Sequence, residues 1–203
     1  LAAPLELLRR EAILAALDDD SRPLLADLEL HSHLASTNSH LSAAAAAGLA
    51  SGHACLAEYQ TAGRGRRGRG WVSPFAANIY LSVLWRFTLS PAALGGLGLA
   101  VGVTVARALQ QAGLRDLGLK WPNDVMWRGG KLAGTLLEMS GESSGPVAVV
   151  IGIGLNVRMP APAGTAIDQP WVDLETALGR GVSRNAVAGE LLHHLLQALR
   201  QYQ

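Results

Sequence analysis

The sequence predicts an α+β domain, a mixed, mainly antiparallel sheet with helices packed on it. Three observations lead there. A β-branched run at residues 147–153 reads as a central strand, short turns around Gly129-Gly130 and around Gly141 and Gly145 join neighbouring apolar segments, and an almost uninterrupted apolar stretch after Pro91 reads as a core helix. Turns that short leave no room for a crossover helix, so the strands that they join run antiparallel.

The elements follow in order along the chain. Leu5, Leu7, Leu8, Ile13, Leu14 and Leu17 recur at helical spacing ahead of the acidic run 18–20 and Pro23, so residues 1–28 are expected to form one amphipathic helix, a linker or docking element before a main domain at 29–203. Ser36-Thr37-Asn38 offers capping side chains to an alanine-rich helix over 39–50 that glycine ends. Residues 54–59 and 78–85 read as strands, the second placing Ile79, Leu81, Val83 and Trp85 on one side. Ser90 as cap and Pro91 in the first turn begin the apolar helix, which stops at Gly113. Residues 117–121 form a strand, Pro122-Asn123-Asp124 a turn, and residues 125–127 and 131–139 a hairpin about Arg128-Gly129-Gly130. Ser183 caps a last helix reaching about Gln201.

Composition narrows the class. In 203 residues, 49% are hydrophobic and only 16% charged, which is enough apolar material for a sizeable core and excludes a disordered chain. The 23 glycines have no period of three, so collagen is excluded. Residues 87–106 carry no charge, but Ser90, Pro91, Thr104 and four glycines interrupt them, which favours a buried helix over a membrane span. Arg9, Arg10 and Glu11 lie inside the amphipathic pattern and do not precede an apolar run, so no leader is expected. The single cysteine, Cys55, cannot form an internal disulfide and fits a reducing compartment, so a cytoplasmic location is expected.

A net charge of +1 hides an uneven distribution. No acid occurs between Glu58 and Asp116, an interval that carries seven arginines, four of them at Arg64, Arg66, Arg67 and Arg69. Such a field suits a small anion or a phosphate backbone. Gly63-Arg64-Gly65-Arg66-Arg67-Gly68 spells the dinucleotide-binding pattern after a strand, but Gly70-Trp71-Val72-Ser73-Pro74 cannot open the required helix and no acid follows at ribose-binding distance. What remains is a loop whose glycines permit close backbone approach and whose guanidiniums repel one another until an anion binds. It reads either as a solvated basic turn or as an active-site flap.

Other signals are local. Asn123 and Asp124 sit in a turn, where such side chains commonly bond their own backbone. Lys131 opens an otherwise apolar strand, so its ammonium either snorkels outward or meets an anion. Gly152-Ile153-Gly154-Leu155-Asn156 ends the β-branched strand with two glycines that admit either a planar ring or close strand packing. The six histidines show no metal-ligand spacing, Cys55 has no thiol nearby, and no serine-hydrolase elbow exists, so no metal ligands are assigned.

Read together, Ser36-Thr37-Asn38, the run from Gln60 through Gly63 to Trp71, Lys120-Trp121-Pro122-Asn123-Asp124, Lys131-Leu132-Ala133-Gly134 and Gly152-Ile153-Gly154-Leu155-Asn156 resemble, in order and spacing, the biotin protein ligases (biotin–[acetyl-CoA-carboxylase] ligases). The likeness runs from about residue 28 to the C-terminus, the family's central catalytic domain. It implies a fold related to class II aminoacyl-tRNA synthetases and lipoate ligases, with helices on one side of the sheet. It also implies a two-step reaction, in which biotin and Mg-bound ATP give biotinyl-5′-adenylate and a lysine of a biotin carboxyl carrier protein then takes the biotinyl group.

The resemblance carries roles with it. Lys131, Arg66 and Arg64 are the implied catalytic cations. Ser36, Thr37, Asn38, Gln60, Gly63, Gly65, Gly134 and Gly154 join them around biotin. Arg67, Arg69, Trp71, Asn123, Asp124, Lys131 and Asn156 serve the nucleotide. Ala35 stands where the family commonly has aspartate. The 28 opening residues are too few for the family's winged helix, so no DNA binding is expected, and the family's C-terminal SH3-like barrel is not expected in this chain. The sequence leaves the oligomeric state open, with a homodimer paired through the strands around Val147 as one arrangement. Two other functions fit parts of the pattern, a lipoate or octanoate ligase or transferase and a non-enzymatic nucleic-acid module using the arginine loop.

Overall fold

The computed structural model describes residues 5–141 and 146–202. The turn expected between Gly141 and Gly145 and the first four residues of the expected N-terminal helix lie largely outside them. Seven strands form one sheet: β1 (Asp27–Leu34), β2 (His53–Gln60), β3 (Ile79–Phe87), β4 (Leu117–Lys120), β5 (Asp124–Trp127), β6 (Gly130–Gly141) and β7 (Val147–Leu155). Their order is β1-β2-β3-β7-β6-β5-β4, with β1 and β2 parallel and every other pair antiparallel. The parallel pair is possible because a helix, α2 (Thr37–Ala46), carries the chain from β1 back to the start of β2.

Residues 147–153 do form the central strand, extended to Leu155. Val147 to Leu155 pairs with β3 on one side and with β6 on the other along its whole length. β7 itself therefore has no free edge, whereas its neighbour β6 beyond Gly134 is paired on the β7 side only among the described residues.

Side chains alternate across the sheet and divide the core in two. Ile79, Leu81, Val83, Trp85 and Phe87 of β3, with Val147, Val149, Ile151, Ile153 and Leu155 of β7, face the long helices α3 (Leu97–Gln111) and α6 (Arg184–Tyr202). The opposite face is not bare. Leu84, Ala148 and Val150 lie under Leu41 and Ala45 of α2, so helices cover both sides of the sheet and not one. Pro91–Gln111 is long and apolar enough to cross a membrane. In this structure Leu97, Val101, Val105, Ala108 and Leu109 of that stretch are buried in the larger core.

Two helices differ from expectation. The apolar helix begins as a separate turn at Pro91–Leu94, without a side-chain cap from Ser90, and α3 starts after Gly95 and Gly96. Consecutive glycines in a helix interior cost about 1 kcal/mol each relative to alanine, which favours a break there. The expected N-terminal helix reduces to α1 (Arg10–Leu14) and a 3-10 turn at Arg22–Leu24, and Leu28 already belongs to β1. Asp18 holds the turn that follows, since its Oδ1 accepts from the Ser21 amide (2.8 Å) and hydroxyl (2.8 Å). Leu5 and Leu7 stay exposed. Short helical turns α4 (Ala161–Gly164) and α5 (Leu174–Leu178) precede α6, whose first turn is capped by Ser183 as expected.

The opening segment is fastened to α6 by buried charge. Arg184 donates to Glu58 Oε2 (2.8 Å), to the Asn78 carbonyl (2.8 Å) and to the Glu6 carbonyl (2.6 Å), while Glu58 Oε1 accepts from the Leu8 amide. Removing one partner of such a pair strands the other charge, so we expect Arg184→Ala to lower stability by about 3–5 kcal/mol in urea unfolding. Near the surface, the Arg158 guanidinium grips both oxygens of Glu175 at 2.6 and 2.7 Å and holds that carboxyl below its ordinary value of 4.5. A depressed carboxylate contributes stability above its unfolded-state value that is lost as pH falls through the folded one. We therefore expect Glu175→Gln to flatten the decline of the melting temperature below pH 4.5, measured against the wild-type chain.

Candidate active site

The strand alternation that packs the core also builds a cavity on the α2 face, where that helix begins. Across β3, β7 and β6 the registers align Tyr80 with Gly154 and Gly134, and Ser82 with Gly152 and Leu136. Three of these six floor positions are glycine. A Cβ at Gly152 would stand 2.1 Å from Asn38 Oδ1, one at Gly154 2.4 Å from Trp71 Cε2, and one at Gly134 3.0 Å from both Trp71 Cζ3 and Lys131 Cε. The planar ring admitted by the end of the β-branched strand is thus the chain's own Trp71. Its Nε1 is buried and has no hydrogen-bond partner among the described residues.

A chain of hydrogen bonds ties the cap of α2 to the base of the arginine loop. Ser36 Oγ accepts from the Ser39 amide (3.4 Å), as a helix cap should. Ser82 Oγ lies within reach of both Asn38 Oδ1 (2.6 Å) and Thr37 Oγ1 (2.8 Å). Gln60 Oε1 accepts from the Thr37 amide (2.9 Å), Gln60 Nε2 donates to Ser73 Oγ (3.1 Å), and Ser73 Oγ donates to the Trp71 carbonyl (3.0 Å). Gly63 sits under that carbonyl, where a Cβ would approach it to 2.5 Å.

The loop folds over the cavity as a narrow arm. The Trp71 amide donates to Gly63 (2.8 Å) and the Gly65 amide to Arg69 (2.7 Å), while Arg67 and Gly68 take left-handed backbone angles at φ 57° and 73° to turn the tip. Arg64 meets Glu138 of β6 through two nitrogens, at 2.7 and 3.1 Å, and Asn38 Nδ2 donates to the same carboxylate (3.0 Å). Arg64 is half-exposed, so this pair contributes at most about 1 kcal/mol. An incoming anion can replace Glu138 at low cost.

Lys131 occupies the other end. Its Nζ stands 2.8 Å from Asp124 Oδ1, a charge contact without hydrogen-bond alignment, and 5.3 Å from the centre of the Trp71 ring. Its backbone is clamped. The Lys131 amide donates to Pro170 (2.9 Å), its carbonyl accepts from Val172 (3.1 Å), and Asn156 Nδ2 donates to the same carbonyl (3.3 Å). Asn123 Nδ2 donates to Thr135 (2.7 Å), so this turn amide is bonded to β6 and not to its own turn.

Ser36, Thr37, Asn38, Gln60, Arg64, Gly65, Arg66, Trp71, Asn123, Lys131, Gly134 and Gly154 all line the one cavity. Gly63, Asp124 and Asn156 stand just behind its wall, as a close-packed backbone position, a counter-charge and a backbone clamp. Arg67 and Arg69 point from the exposed tip. The sequence alone did not disclose Tyr80, Ser82, Thr135, Leu136 or Glu138. Tyr80, Thr135 and Leu136 line the cavity, while Ser82 and Glu138 bond its Asn38 and Arg64, and only a register aligning Gly134 with Gly154 brings them there. Burial pushes the Tyr80 phenol far above its ordinary range, and it stays protonated, donating to the Pro74 carbonyl (2.9 Å). The cavity measures only about 50 Å³, because Trp71 and the arm fill it.

Comparison with known proteins agrees with this geometry. Residues 33–156 match the model of the "Biotin/lipoate A/B protein ligase family". The chain is 40% identical over 203 residues to the bifunctional ligase/repressor BirA of Escherichia coli, and 42% identical over 176 residues to the biotin–[acetyl-CoA-carboxylase] ligase of Mycobacterium tuberculosis. Those matches take in 100% and 83% of this chain but 61% and 62% of the relatives, so the chain spans about three fifths of their length. Among solved structures, the biotin protein ligase from Aquifex aeolicus in complex with biotin and ATP superposes at TM-score 0.71 with 28% identity, over 88% of this chain and 72% of that one. The Leishmania major enzyme with biotinyl-5-AMP gives TM-score 0.69 at 25% identity, over 87% and 76%. With 124 consecutive residues matched, enclosing every residue that lines the cavity, this chain belongs to the biotin/lipoate A/B protein ligase family.

Proposed function

We propose that the chain is the catalytic part of an ATP-dependent biotin protein ligase, working in the cytoplasm. The observation that carries this reading is the position of Lys131 Nζ, at the end of a glycine-floored cavity and roofed by an indole and an arginine arm. The relatives are named for biotin ligation, and two structural neighbours hold biotin with ATP or biotinyl-5-AMP.

The chemistry asks for what this cavity supplies. A biotin carboxylate oxygen attacks the α-phosphorus of ATP, which enters as its magnesium complex, and the bond to pyrophosphate breaks. Both reactants are anions, so the barrier contains their mutual repulsion. Lys131, Arg64 and Arg66 are cations that offset it, and two of them are already balanced by Asp124 and Glu138. Binding therefore exchanges one anionic partner of these cations for another, and Glu138 keeps its hydrogen bond from Asn38 Nδ2. The uncharged end of biotin is assigned to the side bounded by Ser36, Thr37 and Gln60. The nucleotide is assigned to the side of Trp71 and Asn123, with the buried indole N–H free to donate to it.

In the second step an uncharged lysine amine of the biotin carboxyl carrier protein of acetyl-CoA carboxylase attacks the mixed anhydride. An amide forms, AMP leaves and the amine's extra proton passes to solvent. The arm's second task is to keep water from the anhydride. A cavity of about 50 Å³ is far below the few hundred that a ligand of this size needs, so Trp71 and the arm must swing to admit substrate and reclose over product.

Pyrophosphate release that requires both biotin and ATP is the direct test; tight binding of lipoate with none of biotin in calorimetry would overturn the reading. We expect Lys131→Ala to slow adenylate formation by about 10²–10³-fold with an unchanged melting temperature. Loss of rate and fold together would make the lysine structural. Arg66→Gly should increase labelling of bystander lysines by escaped biotinyl-adenylate, scored by streptavidin blot against the parent chain.

A further inference from the structure

A second cluster lies on the same sheet face, one strand beyond the cavity. Glu29 pairs with Cys55 across β1 and β2, and Cys55 pairs with Ser82 of the cavity floor. His31 stands two residues along β1 on the face of Glu29, and His40 reaches down from α2. One donor atom each of His31, His40 and Cys55 lies within 4.8 Å of the other two. Glu29 Oε2 is 3.0 Å from His31 Nε2 and 2.8 Å from His40 Nε2. The Cys55 thiol is fully buried at the bottom, and the two imidazoles and the carboxylate are each about one-third exposed at the mouth.

We propose that Cys55, His31, His40 and Glu29 form a binding site for a divalent transition metal of the zinc class, separate from the ligase chemistry. The donor set is one thiolate, two imidazoles and one carboxylate, the mixture that a borderline-soft, four-coordinate cation takes. Metal bonds of 2.0–2.3 Å set donor separations of about 3.3–3.8 Å, so imidazoles now within 4.8 Å of the sulfur need move only about an ångström, at positions open to solvent.

The proton balance is simple. Each imidazole now turns a nitrogen toward the Glu29 carboxylate, which both rings hold below its ordinary value. On metal binding the rings carry their protons on the other nitrogen, and Glu29 exchanges hydrogen bonds for a metal bond. Burial pushes the free thiol up to about 12, so it is protonated and inert until a cation displaces its single proton to solvent.

The ligands come from β1, β2 and α2, and the first turn of α2 carries Thr37 and Asn38 of the cavity. A bound ion would therefore pin the helix that frames the active site. Spacing along the chain could not reveal it, because only Glu29 and His31 are close in sequence, and His40 and Cys55 join them through the fold.

The test uses the whole chain, stripped with chelator and titrated with Co²⁺ alone, then with Zn²⁺ in competition. The expected result is one ion per chain, the strong visible bands of tetrahedral cobalt, and a thiolate-to-cobalt charge-transfer band that Cys55→Ser abolishes. His31→Ala and His40→Ala, at part-exposed positions where folding should persist by circular dichroism, should each weaken binding at least tenfold. Weak octahedral bands without charge transfer would overturn the proposal, as would affinity unchanged in the folded His31→Ala/His40→Ala double variant.

Discussion

The site depends on a strip of backbone that carries no Cβ. Gly134, Gly152 and Gly154 lie side by side across β6 and β7, and the side chains of Asn38 and Trp71 occupy the volume that three methyl groups would otherwise take. Close approach of this kind is what glycine in a strand interior makes possible, and it explains why the otherwise β-branched β7 gives up packing area at its end. Everything functional is referred to that strip. The cap of α2 is seated on it through Asn38, the arm through Trp71, and the Lys131 side chain lies against its edge.

Charge is handled by substitution of partners. Lys131 pairs with Asp124 and Arg64 with Glu138, and the second pair makes the electropositive interval between Glu58 and Asp116 less bare in three dimensions than along the sequence. The acids come from β5 and β6, well outside that interval. A cavity built this way offsets its own cations and still presents them to an anionic ligand.

How much of this the sequence disclosed follows from the range of the interactions. Strands β2, β3, β6 and β7 and the hairpin at Gly129 were legible, since alternation and turn chemistry are local. Twelve site residues gathered as the five motif blocks implied. The N-terminal segment was misread because its leucines have helical spacing while its fate is decided by Arg184, some 175 residues away, through Glu6, Glu58 and Asn185. Helices on both sheet faces were missed because the low amphipathicity of the alanine-rich α2 does not announce a buried face. Glu138 and Tyr80 were invisible for want of a register, and so was the grouping of His31, His40 and Cys55.

The double pairing of β7 has an evolutionary corollary. Because its odd-numbered residues fill the core against α3 and α6 while its glycines serve the opposite face, a slip of one position would bury the glycines and push valine and isoleucine under the indole. Fold and catalyst would fail in the same event. Insertions and deletions in this lineage should accordingly accumulate in the connections around β7, with the strand's length held constant.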